Sequence, residues 1–289
     1  MSRTNGTQPH PPPPVDAAPV PSLLRIAYGT GPHQFGDLRL PPAAAGPALS
    51  PPRVPVIALI HGGAWRDMYH LDLMDPLAND LATRGYATWN LEYRRVGHAG
   101  GGWPGTFHDV ACGLDHLRQL ALAHPLDLNR VVAIGHSAGG HLALWLAGRS
   151  RLPEASDLHA GNCPPLELCG VVAQAGIADL HSFWVAGGEG YHEVMSGLVG
   201  GTPAQYPQRW RDASPAAMLP LGVAQVLVHG TADDTVPVEL SREYAAAARA
   251  AGDDVELIEL AGVDHFAVLF PDLRPWVPTL AALERMIGA

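Results

Sequence analysis

The segment VVAIGHSAGGHLALWLA at residues 131–147 decides the fold class. Its first part is an apolar run typical of a buried strand, and its last part is apolar nearly all round, which is typical of a buried helix. The turn between them has the form G-x-S-x-G, with Gly135 and Gly139 on either side of Ser137. Such small residues let strand and helix approach closely and leave a strained serine with its hydroxyl above the sheet. A plain glycine-rich turn is the alternative, but the flanking strand and helix favour Ser137 as a nucleophile.

Short apolar runs alternate with helical patterns from residue 22 onward, which predicts an α/β fold with a mostly parallel sheet flanked by helices on both faces. The predicted strands are 54–60, 87–93, 130–134, 170–175, 224–228 and 254–260. Two earlier runs, 24–28 and 36–40, are expected to form antiparallel strands at the sheet edge. Residues 179–218 interrupt the alternation with glycines, prolines and aromatic residues over a stretch too long for an ordinary connection. We therefore expect a small cap insertion at about 179–218.

The two ends of the chain differ in composition. Residues 1–21 are rich in proline and polar residues and are predicted to form a disordered tail, whereas residues 22–289 are predicted to form one domain. No apolar run has the length of a signal-peptide core or a membrane span, so we expect a cytoplasmic protein without a membrane partner. The formal net charge of −10 argues against a nucleic-acid partner. The oligomeric state stays open.

All 18 residues counted as lysine or arginine are arginines, because the sequence contains no lysine. This excludes a pyridoxal Schiff base, a Walker-type phosphate loop and a serine–lysine dyad, each of which requires a lysine amine. His192 and Glu193 lack a second histidine at the spacing of a zinc peptidase, so neither a metal nor another cofactor is expected. Three cysteines do not make a disulfide framework, and whether Cys163 pairs with Cys169 stays open.

A second glycine-rich turn lies in ALIHGGAW at residues 58–65, at the end of an apolar run. Glycines leave backbone N–H groups unobstructed, and the tetrahedral intermediate of acyl transfer needs such donors for its oxyanion. The candidate donors are the amides of Gly63, Ala64 and Ala138. A glycine turn beside a core tryptophan is the alternative, and the presence of the serine motif favours the oxyanion hole.

Side chains beside the two turns, and in the expected cap, are candidates for contact with a substrate. Trp65 and His136 are the candidate substrate-binding residues. Phe183, Trp184 and Tyr191 could line the same pocket. Packing is the alternative for the aromatic residues, and packing or hydrogen bonding is the alternative for His136.

A serine hydroxyl is a weak nucleophile unless a base takes its proton, so the chain must supply a histidine. His265, in ELAGVDHF, directly follows the last predicted strand and lies on the side of the sheet where the serine emerges. Among the competing histidines, His229 lies at the end of a strand, and His141 lies beside the serine turn, where packing or hydrogen bonding is expected. We therefore predict His265 as the general base.

The acid that orients this histidine should follow the preceding strand, where VLVHGTADDTVP offers Asp233 and Asp234. Only one of the two can face the histidine, and Asp233 is favoured with Asp234 as the alternative. Charged residues elsewhere, Asp109 and the segment 92–94, could stabilise active-site loops or form a solvated surface pair.

Four motifs together resemble the α/β-hydrolase superfamily: HGGAW (61–65), GHSAGG (135–140), HGTADDTVP (229–237) and DHF (264–266). Within it, YGTGPHQFGDLRLP (28–41), LEYRR (91–95) and GGGWPGTFHDV (100–110) resemble a bacterial esterase branch. This branch includes kynurenine formamidase-like proteins and relatives of feruloyl and acetyl-xylan esterases. Its members often have a glycine or an aromatic residue where this chain has Ala64.

The resemblance implies an α/β-hydrolase fold and a cofactor-free serine hydrolase. Its substrates would be small-molecule, short-chain carboxylic esters, cleaved through an acyl-enzyme. The alternative is an arylformamidase that acts on N-formylkynurenine-like substrates. A peptidase and a catalytically silent binding protein are weaker alternatives. The superfamily's HG-x-x-D pattern also implies that the acid is Asp233.

Overall fold

The structure is a computed structural model, and it describes residues 21–42, 52–161 and 164–288. The predicted tail falls outside these ranges except for its last residue. Cys163 also falls outside them, so its pairing with Cys169 stays untested.

One sheet of eight strands forms the centre of the described chain. The strands are β1 (Ser22–Ala27), β2 (Phe35–Leu40), β3 (Val54–Ile60), β4 (Ala87–Leu91), β5 (Leu126–His136), β6 (Gly170–Gln174), β7 (Ala224–Gly230) and β8 (Val255–Leu260). Their order in the sheet is β1-β2-β4-β3-β5-β6-β7-β8. The pairs β1–β2 and β2–β4 are antiparallel and the remaining pairs are parallel, which confirms the mostly parallel sheet with antiparallel strands at one edge.

Helices cover both faces of this sheet. They are α1 (Asp75–Thr83), α2 (Gly105–Asp115), α3 (Leu117–Ala123), α4 (Ala138–Gly148), α5 (Leu180–Ala186), α6 (Glu189–Val199), α7 (Pro207–Ala213), α8 (Val238–Ala250) and α9 (Trp276–Gly288). Successive side chains of a strand point to opposite faces. On β3, Val56, Ala58 and Ile60 join the apolar cluster that contains α2, α3, α4 and α8. Ile57 and Leu59 join the second cluster, which contains α1 and α9.

The strand before Ser137 is longer than its apolar run predicts, because β5 begins at Leu126. Asp127 and Asn129 are typical of turns. Nevertheless residues 126–127 pair with residues 54–55 of β3, and the register then shifts before the apolar part of the two strands pairs. This long-range pairing overrides the local preference of the polar residues.

The stretch 179–218, predicted as a cap, contains the helices α5, α6 and α7 between β6 and β7. Its buried residues Leu180, Phe183 and Leu198 join the same apolar cluster as α4. These three short helices therefore rest on the face of the sheet that carries α4, the helix that follows Ser137.

Candidate active site

Ser137 lies in the sharp turn between β5 and α4, with φ 54° and ψ −121°. A positive φ is strained for a residue with a side chain, and surrounding structure must hold it in place. A Cβ atom on Gly135 would collide with the carbonyl oxygen of Gly139, and one on Gly139 would collide with that of Ile60. The glycines on either side of the serine are therefore required by close main-chain packing. Ala138 begins α4 and is completely buried.

The predicted acid and base are in direct contact. His265 donates from Nδ1 to Oδ2 of Asp233 at 2.7 Å. The other carboxylate oxygen of Asp233 accepts hydrogen bonds from the amides of Thr235 at 2.9 Å and Val236 at 2.8 Å. Asp234 is exposed, and its carboxylate accepts a hydrogen bond from the Thr235 hydroxyl at 3.3 Å. The structure thus brings Asp233, and not Asp234, to the histidine.

The side chain of Asp233 is completely shielded from solvent. Burial alone would raise the pKa of this carboxyl, but hydrogen bonds from His229, His265 and the Val236 amide outweigh burial and hold the pKa well below its usual range. The carboxyl of Asp233 therefore stays ionised. A group that stabilises a positively charged imidazole must be ionised.

Ser137 and His265 line the same cavity, which has a volume of about 100 Å³. Within the part of the chain that the structure describes, their side chains are not joined by a hydrogen bond. Such bonds in ligand-free sites are often long and tighten only when substrate binds. The arrangement can therefore deliver a proton from the serine to the imidazole once a substrate fills the cavity.

The glycine turn after β3 has an unusual backbone, with positive φ at Gly63 (106°), Ala64 (51°) and Trp65 (54°). The carbonyl of Gly63 accepts a hydrogen bond from the Arg66 amide at 3.0 Å, and that of Trp65 accepts one from the Val96 amide at 2.9 Å. Gly63 and Ala64 both line the cavity beside Ser137. Both predicted oxyanion-hole residues of this turn therefore lie at the cavity that contains Ser137.

A buried polar cluster supports this turn from below. The hydroxyl of Tyr93 donates to the carbonyl of His61, and Nδ1 of His61 donates to the carbonyl of Gly62, each at 2.8 Å. Burial lowers the pKa of His61, so its Nε2 is free to accept a hydrogen bond from Arg95 at 2.9 Å. Arg95 also forms an ion pair with Glu92, and both side chains are almost fully buried.

The charged run at the end of β4 was expected either to stabilise loops or to be solvated. In the structure, two adjacent arginines at this point have different partners. Arg94 donates to both carboxylate oxygens of buried Asp109 at 2.7 and 2.8 Å, whereas Arg95 contacts His61. Both arginines follow the end of β4 at Leu91, in a segment without regular structure, so no periodic pattern in the sequence indicated their different partners.

Trp65 was expected to bind substrate, but the structure places its side chain in the core. Its side chain is completely buried, lies outside the cavity lining and donates from Nε1 to Nδ1 of His141 at 3.2 Å. The positive φ of Trp65 turns its side chain into the core. His136 does line the cavity, and its Nε2 donates to the carbonyl of His265 at 2.8 Å. Burial lowers the pKa of His136 to about 3, so its ring is neutral.

Two aromatic residues of the 179–218 stretch reach the cavity. Phe183 and Tyr191 line it, with their ring centres 4.9 Å apart. Trp184 faces elsewhere and stacks on His192 with a ring separation of 3.9 Å. Successive positions on a helix point in different directions, so only one of the two adjacent aromatic residues can face the serine.

The sheet topology, the serine turn and the order of serine, acid and histidine along the chain define the class as the α/β-hydrolase fold. More particularly, the chain belongs to the BD-FAE family, whose model matches residues 44–247.

Individual relatives carry esterase names. The chain is 28% identical to the esterase LipC of Mycobacterium tuberculosis, over 83% of this chain and 59% of LipC. It is 25% identical to a probable isoprenylcysteine alpha-carbonyl methylesterase of Arabidopsis thaliana, over 86% of this chain and 58% of that protein. The chain thus spans about six-tenths of the length of these curated relatives.

Solved structures show the same fold at low identity. A truncated carbohydrate esterase from gut microbiota superposes with a TM-score of 0.78 at 18% identity, covering 96% of this chain and 99% of that one. A thermophilic esterase of Thermogutta terrifontis, with propionate bound, superposes with a TM-score of 0.72 at 23% identity, covering 92% and 93%. Across residues 21–42, 52–161 and 164–288, no helix combines the length and apolar character needed to cross a bilayer.

Proposed function

We propose that this chain is a serine hydrolase that cleaves short-chain carboxylic esters through an acyl-enzyme intermediate. The observation that carries the proposal is the hydrogen bond from His265 to buried Asp233, beside a cavity that Ser137 also lines. An oriented imidazole beside a serine on a strained turn is the arrangement that activates a hydroxyl for attack on a carbonyl. The esterase names of the relatives support the same reaction class.

In the first half-reaction, Oγ of Ser137 attacks the ester carbonyl carbon while Nε2 of His265 takes the hydroxyl proton. The tetrahedral intermediate places its oxyanion near the amides of Gly63, Ala64 and Ala138. The carbon–oxygen bond to the alcohol then breaks, and His265 returns the proton to the departing alcohol. In the second half-reaction, water attacks the acyl-enzyme with the same proton transfers, which releases the carboxylic acid and restores the serine.

The size of the cavity supports a small acyl group. The cavity has a volume of about 100 Å³, and Phe183 and Tyr191 line it from the 179–218 stretch. We therefore assign this stretch the role of a cap and His136 that of a substrate contact. Each methylene that the cavity buries contributes about 0.8 kcal/mol, whereas overpacking costs about 1 to 3 kcal/mol. The bound propionate of the Thermogutta relative is consistent with a short acyl chain.

The proposal is tested by active-site labelling together with a substrate panel. A fluorophosphonate should attach to Ser137, and mass spectrometry of the digested protein should locate it there. The Ser137→Ala variant should lose label and about a million-fold in turnover while it stays folded. Ser150→Ala, at an exposed serine, is the matched control and should keep both.

The panel compares acetyl, butyryl and dodecanoyl p-nitrophenyl esters with a feruloyl ester and N-formylkynurenine. Short esters should give the highest kcat/KM. Turnover that survives in Ser137→Ala would refute the nucleophile. A preference that rose continuously to the dodecanoyl ester would refute the small acyl site, and preferential cleavage of the formamide would assign the arylformamidase reaction instead.

A further inference from the structure

A second histidine contacts the acid of the Asp233–His265 pair. His229 is the second-to-last residue of β7, and its side chain is completely buried. Its Nε2 lies 2.9 Å from the carbonyl oxygen of Val236 and 3.2 Å from Oδ2 of Asp233. Its Nδ1 lies 2.7 Å from Oγ of Ser241 on α8.

These partners fix which nitrogen of His229 carries hydrogen. A carbonyl oxygen can only accept a hydrogen bond, so the Nε2 that contacts Val236 must be the donor. The same nitrogen lies 3.2 Å from Oδ2 of Asp233, so the ionised carboxylate is in electrostatic contact with the polarised N–H group. In the neutral ring Nδ1 is then an acceptor, and the hydroxyl of Ser241 supplies the hydrogen. Both ring nitrogens are therefore held from opposite sides.

The contact matters because Oδ2 of Asp233 is the oxygen that receives the hydrogen bond from His265. The amides of Thr235 and Val236 hold Oδ1, and His229 is the remaining side chain on Oδ2. A carboxylate held at Oδ1 alone could still rotate about its axis and move Oδ2 away from the imidazole. His229 lies where it opposes that rotation.

We propose that His229 is a positioning residue, which fixes Oδ2 of Asp233 in the orientation that aligns His265 with the serine. This inference rests on the proposed serine-hydrolase function. A series of side-chain contacts runs from Ser241 through His229 and Asp233 to His265. Its first member, Ser241, lies on α8 outside the cavity. His229 does not touch the substrate, and its effect is transmitted through the carboxylate.

The test compares His229→Leu, which removes the donor, with His229→Gln, which retains an N–H on a side chain of similar reach. Losing one hydrogen bond to a charged group should lower kcat on a short p-nitrophenyl ester by about tenfold to a hundredfold. KM should change little, because the cavity is untouched, and His229→Gln should recover most of the lost turnover. The downfield NMR signal of the His265 Nδ1 proton should shift or broaden in His229→Leu and return in His229→Gln.

A second background distinguishes positioning from packing. In Asp233→Asn the oriented carboxylate is already lost, so adding His229→Leu should lower kcat far less there than it does in the wild-type background. An equal fold-loss in both backgrounds, or wild-type kcat in a folded His229→Leu, would overturn the proposal. If His229→Leu does not fold, Ser241→Ala decides in its place, because it frees Nδ1 and should lower kcat several-fold. Unchanged kcat in Ser241→Ala would then overturn the proposal.

Failure of this inference is distinguishable from failure of the proposed function. An active Ser137→Ala variant would remove the serine-hydrolase function itself. An inactive Ser137→Ala together with normal turnover in folded His229→Leu would leave that function intact and remove only the role of His229.

Discussion

The serine side of the cavity and the acid–histidine side are built in different ways. Around Ser137 the main chain is so close-packed that a Cβ atom on Gly135 or Gly139 would collide with backbone. Around His265 the geometry depends instead on hydrogen bonds that converge on the carboxylate of Asp233. The geometry on the serine side therefore requires glycines, which have no side chain. The geometry on the acid–histidine side requires polar groups that form hydrogen bonds.

This difference separates two kinds of damage. Added volume on the serine side should lower the free energy of unfolding, because main-chain atoms must move. Lost polar atoms on the acid–histidine side should lower turnover first, because the surrounding loops of β7 and β8 can keep their fold without them. Substitutions matched in size test this distinction.

The largest expected effect is on turnover at the acid. Asp233→Asn should lower kcat by about ten-thousandfold, because an amide favours the wrong tautomer of the histidine and cannot stabilise the imidazolium. Asp234→Asn, at the exposed neighbour, is the control and should stay close to wild type. Steady-state kinetics and circular dichroism of both variants check the expectation. The reverse order of the two losses would reassign the acid to Asp234.

The next effect tests whether the serine side also depends on a buried charge. Glu92→Gln leaves the buried guanidinium of Arg95 without its partner, which should cost about 3 to 5 kcal/mol of unfolding free energy. Glu154→Gln, at an exposed residue, is the control and should cost almost nothing. Urea unfolding at neutral pH measures both, and equal stability of the two variants would show that the ion pair is dispensable.

The same pair predicts an acid dependence with a definite sign. Burial alone would raise the pKa of Glu92, but hydrogen bonding and the nearby guanidinium of Arg95 outweigh it and lower the pKa to about 2. Its contribution to stability is therefore complete above the unfolded-state pKa of about 4.3 and is lost as the pH falls towards 2. Glu92→Gln should show a smaller decrease in stability across that window, and an unchanged decrease would contradict the assignment.

The smallest expected effect concerns added volume. Gly139 and Gly190 are each the second residue of an eleven-residue helix, α4 and α6. Gly139→Ala forces a Cβ against the carbonyl oxygens of Ile60 and His61 and should cost about 2 to 3 kcal/mol. Gly190→Ala meets open space and should stabilise by up to about 1 kcal/mol. Thermal unfolding measures both, and equal shifts would refute close packing as the reason for Gly139.

The sequence predicted most of the fold, because the buried strands are short apolar runs that alternate with helical patterns and the G-x-S-x-G turn is a local motif. The expected chain order of serine, acid and histidine also restricted the candidates for the acid and the base, whose catalytic roles stay predictions. The sequence could not predict the direction of Trp65, which depends on a positive φ in an irregular turn. Nor could it predict that His229 contacts Asp233, because that contact depends on how the loop after β7 folds back onto the strand.

Four described residues other than glycine have a positive φ: Ala64, Trp65, Ser137 and Ala175. All four follow the carboxyl ends of β3, β5 and β6, which are neighbours in the sheet. Such conformations cost about 1 to 3 kcal/mol each, and that energy is spent in folding rather than during the reaction. These positions therefore represent a trade-off in which thermostability is sacrificed for a preorganised backbone. A more heat-resistant form of this protein would have to gain its stability elsewhere, for example on the opposite, amino-terminal edge of the same strands.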